Sequence, residues 1–114
     1  MPHLIVEYVC HLVTDEAVFA MIDSVHDATK ETGLFVESHI KIRAIPISFY
    51  RTGGRSDPFI HAQLRIKSGR NDAQKKKLAD AVLAAILQQA WPVKVTTVEV
   101  VDMDAASYAK YTSD

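Results

Sequence analysis

The chain is poor in cysteine, in net charge and in long apolar runs, and each shortage excludes something. Cys10 is the sole cysteine among 114 residues, so no internal disulfide can form, and a reducing compartment fits. Its plainest use is as a small core hydrophobe. The formal net charge is −1, which points to neither nucleic acid nor an anionic membrane as partner. No stretch approaches the roughly 18 apolar residues of a membrane span. The N-terminus lacks a basic region followed by an apolar run, so no signal peptide is expected and a cytoplasmic location follows by default. The histidines His11, His26, His39 and His61 show no metal-ligand spacing, so no metal is expected. The Gly-Gly-Arg at 53–55 lacks the helix start and spacing of a phosphate loop.

What is present is ordinary for a soluble domain: 48% apolar and 24% charged residues, enough for one small core. The first strand reads from His3 to Val9. A helix should follow, because Val18, Met21, Ile22, Val25 and Ala28 recur at the spacing of one buried face. Thr14 or Asp15 can cap it, and Gly33 can stop it in the left-handed conformation. In HIKIRAIPI, residues 39–47, apolar Ile40, Ile42 and Ala44 alternate with Lys41 and Arg43, a strand with one apolar and one basic face. Pro46 suggests that this strand is an edge or ends there. Residues 51–58 form a loop by their Gly, Ser, Asp and Pro content.

A second unit repeats the plan. FIHAQLRIK, residues 59–67, sets Ile60, Ala62, Leu64 and Ile66 against His61, Gln63, Arg65 and Lys67. Asn71 and Gln74 have the spacing of a capping box, and Leu78, Val82, Ala85 and Ile86 form the apolar face of a helix that Trp91-Pro92 should end. VKVTTVEVV, residues 93–101, is the fourth strand, with a phase shift at Thr96-Thr97 that suggests a bulge. The tail, 104–114, holds a helical turn or two or drapes over a neighbour. Lys75 to Lys77 read as a solvated face. The expected architecture is an α+β two-layer sandwich in one domain: βαβ over 2–50, a loop over 51–58, βαβ over 59–103, then the tail. Both helices cover one face of a four-stranded mixed sheet. The other face, bearing Lys41, Arg43, His61, Gln63 and Arg65, is left to water or to a partner subunit. Ile5 adds apolar character there, which favours a homo-oligomer.

Pro2 stands at the mouth of the first strand. Either it simply starts that strand, since proline cannot donate to a ladder, or it is chemical. A small residue after Met1 usually allows methionine removal, which would leave Pro2 with a free secondary amine. Burial and neighbouring cations would lower that amine's pKa from its usual 7.7–8.0 or so and make it a base at neutral pH. Arg70, just ahead of the second helix, can join free backbone N–H groups there in an anion site. His3 should point away from the proline's side and be structural.

The opening MPHLIVEY, the GLF at 33–35, FIHAQLRIKSGR and the two near-equal βαβ halves resemble the tautomerase superfamily, and within it the 5-carboxymethyl-2-hydroxymuconate isomerase family. That resemblance implies a homotrimer with a site at each subunit boundary and no cofactor. Pro2 would move a proton from an enol hydroxyl to a distant carbon of a small unsaturated carboxylic acid. Arg43, Arg70 and Lys41 would bind its carboxylates. Arginine stands at both strand positions in the family; Arg43 matches the second, and Lys41 departs at the first, losing the bidentate fork. Two other readings stay open: a related hydratase or decarboxylase on the same fold, and a non-catalytic ligand-binding or oligomerisation module.

Overall fold

A computed structural model describes residues 1–113. The first unit consists of β1 (His3–Val9), α1 (Asp15–Glu31), a single 3₁₀ turn (Glu37–His39) and β2 (Lys41–Ile47). The second consists of β3 (Phe59–Lys67), α2 (Asp72–Leu87) and β4 (Val95–Met103). The strands form one sheet in the order β2-β1-β3-β4. β1 and β2 are parallel, β3 and β4 are parallel, and the two units meet through the antiparallel pair β1–β3.

Register follows from the alternation of apolar residues. Leu4 pairs with Leu64 and Val6 with Ala62, so the buried phases of β1 and β3 share one face. Against that face lie Met21 and Val25 of α1 and Leu78 and Val82 of α2, all without solvent exposure. α1 starts where Thr14 Oγ1 accepts from the Ala17 N–H (3.2 Å) and stops before Gly33, whose φ of 71° suits a residue without Cβ. Pro46 lies in β2, an edge strand, where its missing N–H costs no ladder bond.

α2 opens with the full capping box: Asn71 Oδ1 accepts from the Gln74 N–H (2.9 Å), and Gln74 Oε1 accepts from the Asn71 N–H (3.0 Å). Asn71→Ala removes one partner of this pair. We expect a loss of about 0.5–2 kcal/mol, read as a lower urea midpoint at unchanged slope.

Several expectations are corrected. α2 ends at Leu87, not at Trp91-Pro92. Ala90 takes a positive φ of 53°, and the reversal lets Trp91 turn back onto Tyr8 with ring centroids 5.6 Å apart. β4 has no bulge: its pairing with β3 runs unbroken from Phe59–Val95 to Lys67–Met103. The strand lies two residues later than the valine pattern suggested, and Thr96 and Thr97 are ordinary alternating positions. β2 starts at Lys41 because the 3₁₀ turn takes up residues 37–39. Nor are Lys75 to Lys77 merely solvated. Lys75 bridges Asp102 (3.2 Å) and Asp72 (3.8 Å), Lys76 pairs with Asp80 (2.9 Å), and Lys77 donates to the Thr32 carbonyl (3.3 Å). These partners offset the unfavourable placing of cations at a helix start.

The sheet face opposite the helices is uncovered in the single chain. Its rows place Lys41 beside His3 and Arg65, and Arg43 beside Ile5 and Gln63. The tail leaves β4 through a turn closed by Asp104, which accepts from the Ala106 and Ser107 N–H groups (3.1 and 3.2 Å), and it then returns to the start of β1, where Tyr108 meets His3 and Lys110 meets Met1. The helical turn expected of the tail is this one turn; the last residue of that segment, Asp114, lies outside the described residues.

Candidate active site

Pro2 is fully buried immediately ahead of β1. β1 is a central strand, so a proline at any position within it would cost a ladder bond to one neighbour or the other. One position earlier it costs none. Its carbonyl accepts from the Lys41 N–H (3.1 Å), which extends the β1–β2 ladder and pins the start of the chain.

Four cations converge on this end of the sheet for topological reasons. β2 runs parallel to β1, so its first residue, Lys41, lies beside the start of β1. β3 runs antiparallel, so its last residue, Lys67, arrives at the same end. Arg70 follows in the turn before α2, and the returning tail brings Lys110, whose Nζ lies 3.6 Å from Met1 Sδ. The α-amino group, carried here by Met1, is held below its ordinary pKa, first by burial and then by Lys67, Arg70, Lys110 and Lys41. His39 is likewise held below its usual value, by desolvation first and then by Lys110, the amino terminus, Lys41 and Lys67.

Met1, His39, Lys41 and Lys110, with Tyr108, line an open groove of about 670 Å³; Pro2, Lys67 and Arg70 are not among its lining residues. None of the described residues lining it is acidic. A basic concavity without carboxylates suits a small organic anion. A second groove, about 430 Å³, runs between α1 and α2 past Asp27, Glu31 and Lys77, and contains none of the converging groups.

Of the four residues singled out from the sequence, the structure brings Pro2, Lys41 and Arg70 together. Arg43 stands apart. It sits on the uncovered sheet face, where its Nη1 lies 3.3 Å from His3 Nδ1, and it is not among the cations acting on the amine. The capping box takes up two of the N–H groups at the start of α2, those of Asn71 and Gln74, and the Arg70 side chain makes no hydrogen bond at that end among the described residues. Instead its Nη2 donates to the Leu34 carbonyl (2.7 Å) and its guanidinium lies 4.8 Å from the Phe35 ring centroid. This fixes the side chain across the segment after α1 and leaves its other N–H groups for a ligand. His3 does point away from the proline's side, into contacts with Arg43 and Tyr108.

Sequence reasoning missed Lys67, Lys110, His39 and Tyr108 as members of this site. Lys67 was visible as the last polar residue of FIHAQLRIK, but its proximity to the N-terminus depends on the antiparallel register. Nothing in the tail's residue pattern signals where Tyr108 and Lys110 land.

Among curated proteins no sequence matches the chain at a significant level. Solved structures do match. A 5-carboxymethyl-2-hydroxymuconate isomerase from Deinococcus radiodurans R1 is similar with a TM-score of 0.83 and 24% identity, over 98% of this chain and 90% of that one. Native Ps01740 gives a TM-score of 0.84 at 14% identity, over 95% and 99%. A fused 4-OT, an asymmetric trimer, gives 0.80 at 19% identity, over 95% and 91%. At such identities these likenesses establish the fold, the two-layer sandwich of paired βαβ units. The family model for 5-carboxymethyl-2-hydroxymuconate isomerase matches residues 2–105, nearly the whole chain. With its buried Pro2 ahead of a central strand and this fold around it, the chain belongs to the 5-carboxymethyl-2-hydroxymuconate isomerase family.

Proposed function

We propose that this chain is a cofactor-free isomerase of 2-hydroxymuconate-type dienol acids, 5-carboxymethyl-2-hydroxymuconate being the first candidate, with Pro2 as base and acid. The observation that carries the proposal is a buried chain start whose amine is depressed by burial and ringed by cations. Removal of Met1 leaves Pro2 as a secondary amine among the same neighbours. Neutral at cellular pH, it takes the proton of the 2-hydroxyl. Electrons shift through the conjugated system, the 2-oxo group forms, and the prolinium returns the proton to a distant carbon. One O–H bond breaks, one C–H bond forms, and no redox partner is required.

Lys41 and Arg70, with Lys67 and Lys110, neutralise the carboxylates and the negative charge that develops on the dienolate oxygen. Arg70 offers a planar fork for one carboxylate, and Lys41 a point charge for another. The uncovered sheet face is given to sister subunits in a trimer, as the fused 4-OT neighbour is a trimer. Arg43 on that face then lies at a boundary between subunits, beside His3 of its own chain.

The test is an ultraviolet time course on protein whose intact mass shows the loss of one methionine. Fast loss of the dienol absorbance supports the reading, and a flat trace with Pro2 free overturns the substrate. A retained Met1 with no turnover favours the non-catalytic module, and a hydrated or decarboxylated product favours the related enzyme.

The pH dependence has a defined sign. The base works only when neutral, so kcat/KM falls as pH drops through the amine's pKa. Burial and cations lower that pKa, so the acid limb should lie below the ordinary α-amino value. Lys67→Met removes the first of the cations and should move the limb upward. An unmoved limb would detach Lys67 from the base.

A further inference from the structure

Tyr108 is the one neutral side chain of the groove whose orientation is fixed at both ends. Arg43 Nη1 lies 3.3 Å from His3 Nδ1. A guanidinium has only donors, so Nδ1 accepts, and the imidazole is neutral with its proton on Nε2. Nε2 lies 2.9 Å from the Tyr108 hydroxyl oxygen. The imidazole therefore donates and the phenol oxygen accepts. Burial, followed by Arg43 and Lys41, holds His3 below its usual pKa, in keeping with that neutral form. Lys67 Nζ stands 5.2 Å from the centre of the tyrosine ring, and the His3 ring meets it edge-on at 6.2 Å. The Asp104 turn delivers the residue to this place. With its oxygen satisfied as an acceptor, the phenol keeps its own proton, for which the described residues supply no acceptor.

We propose that Tyr108 binds the acid in this groove by donating a hydrogen bond to a carboxylate oxygen, with His3 and Arg43 as positioning residues that aim it. The lysines around it supply charge but swing on long stems. A phenol has two torsions and gives up little freedom when fixed. It thus contributes direction where the lysines contribute field. The assignment rests on the groove being the acid's site.

The experiment is calorimetric titration with adipate, a saturated diacid that has no dienol to react, below neutral pH. It compares wild type, Tyr108→Phe and protein carrying 3-fluorotyrosine at position 108. The Phe variant should bind adipate about ten- to a hundredfold more weakly, the worth of one hydrogen bond to a charged group. On the dienol acid its loss should appear in KM, with kcat nearly unchanged. The ring fluorine makes the O–H a stronger donor and the oxygen a weaker acceptor. Fluorotyrosine should therefore tighten adipate binding, whereas a phenol that served only to fasten the tail to His3 would loosen it. Equal affinity in wild type and Tyr108→Phe, or weaker binding with fluorotyrosine, overturns the proposal and leaves the groove reading intact. Wild type that binds no adipate overturns the groove reading itself, and this proposal with it.

Discussion

Pro2→Ala should lower turnover of the dienol acid by about 10²–10⁴-fold, the usual worth of a positioned general base. The variant still loses Met1, because alanine is also small, so the chain still starts at an amine in the same place. What changes is the amine. A primary amine on a freely rotating alanine replaces a secondary amine held by a ring. The surrounding cations remain, so KM should change much less than kcat. That split separates the loss of the base from the loss of the binding site. Stopped-flow traces at the dienol absorbance, on protein of verified mass and with secondary structure unchanged, give both constants. Turnover within threefold of wild type would remove Pro2 from the chemistry and return it to the plainer role of starting a strand.

The largest structural effect is expected at Leu64. It has no exposed surface, sits at the middle of β3, and is flanked in register by Leu4 of β1 and Val100 of β4. Both helices close over the cluster that contains it. Truncation to alanine leaves a cavity that two hydrogen-bonded neighbours prevent from collapsing. Leu64→Ala should therefore cost about 2–5 kcal/mol, out of a total stability typically about 5–15 kcal/mol. Urea denaturation should show a lower midpoint with a similar slope. A cost below about 1 kcal/mol, typical of substitutions away from the core, would mean that the layer relaxes around position 64 and that the core lies elsewhere.

Much of the fold was legible because the strands at its centre alternate cleanly. β3 reads from end to end as it folds, since a single phase of it is apolar, and β1 does so as an apolar run closed off by Pro2. α2 announced its start through Asn71 and Gln74, a local signal that needs no tertiary context. β4 was misplaced because Val93, Val95, Val98, Val100 and Val101 put apolar residues on both phases, so the pattern alone could not set its register. The end of α2 was misplaced for a related reason. Pro92 marks where a helix must already have stopped, and the stop itself was Ala90 entering the left-handed region, which alanine does not advertise.

The site was half legible. Lys41 and Arg70 lie close in sequence to strand or helix ends, where a local reading finds them. Arg43 shares a face with Lys41, yet two positions along a strand carry it away from the amine and into contact with His3. Lys67, Tyr108 and Lys110 reach the site only through the β1–β3 pairing and the path of the tail.

That path has a consequence for order in time. His3 and Tyr108 are 105 positions apart, and Met1 and Lys110 are 109 apart, yet each pair is in contact. During synthesis the start of the chain emerges first and waits for the rest. Until β3 has emerged, nothing can cover Pro2 from the antiparallel side, and methionine can be trimmed from an open strand. Loop closure over such distances is slow compared with forming the helices. The amine would thus be created early, in water, as an ordinary amine. Its pKa drops only when β3, the turn before α2 and the returning tail bring burial, Lys67, Arg70 and Lys110 around it.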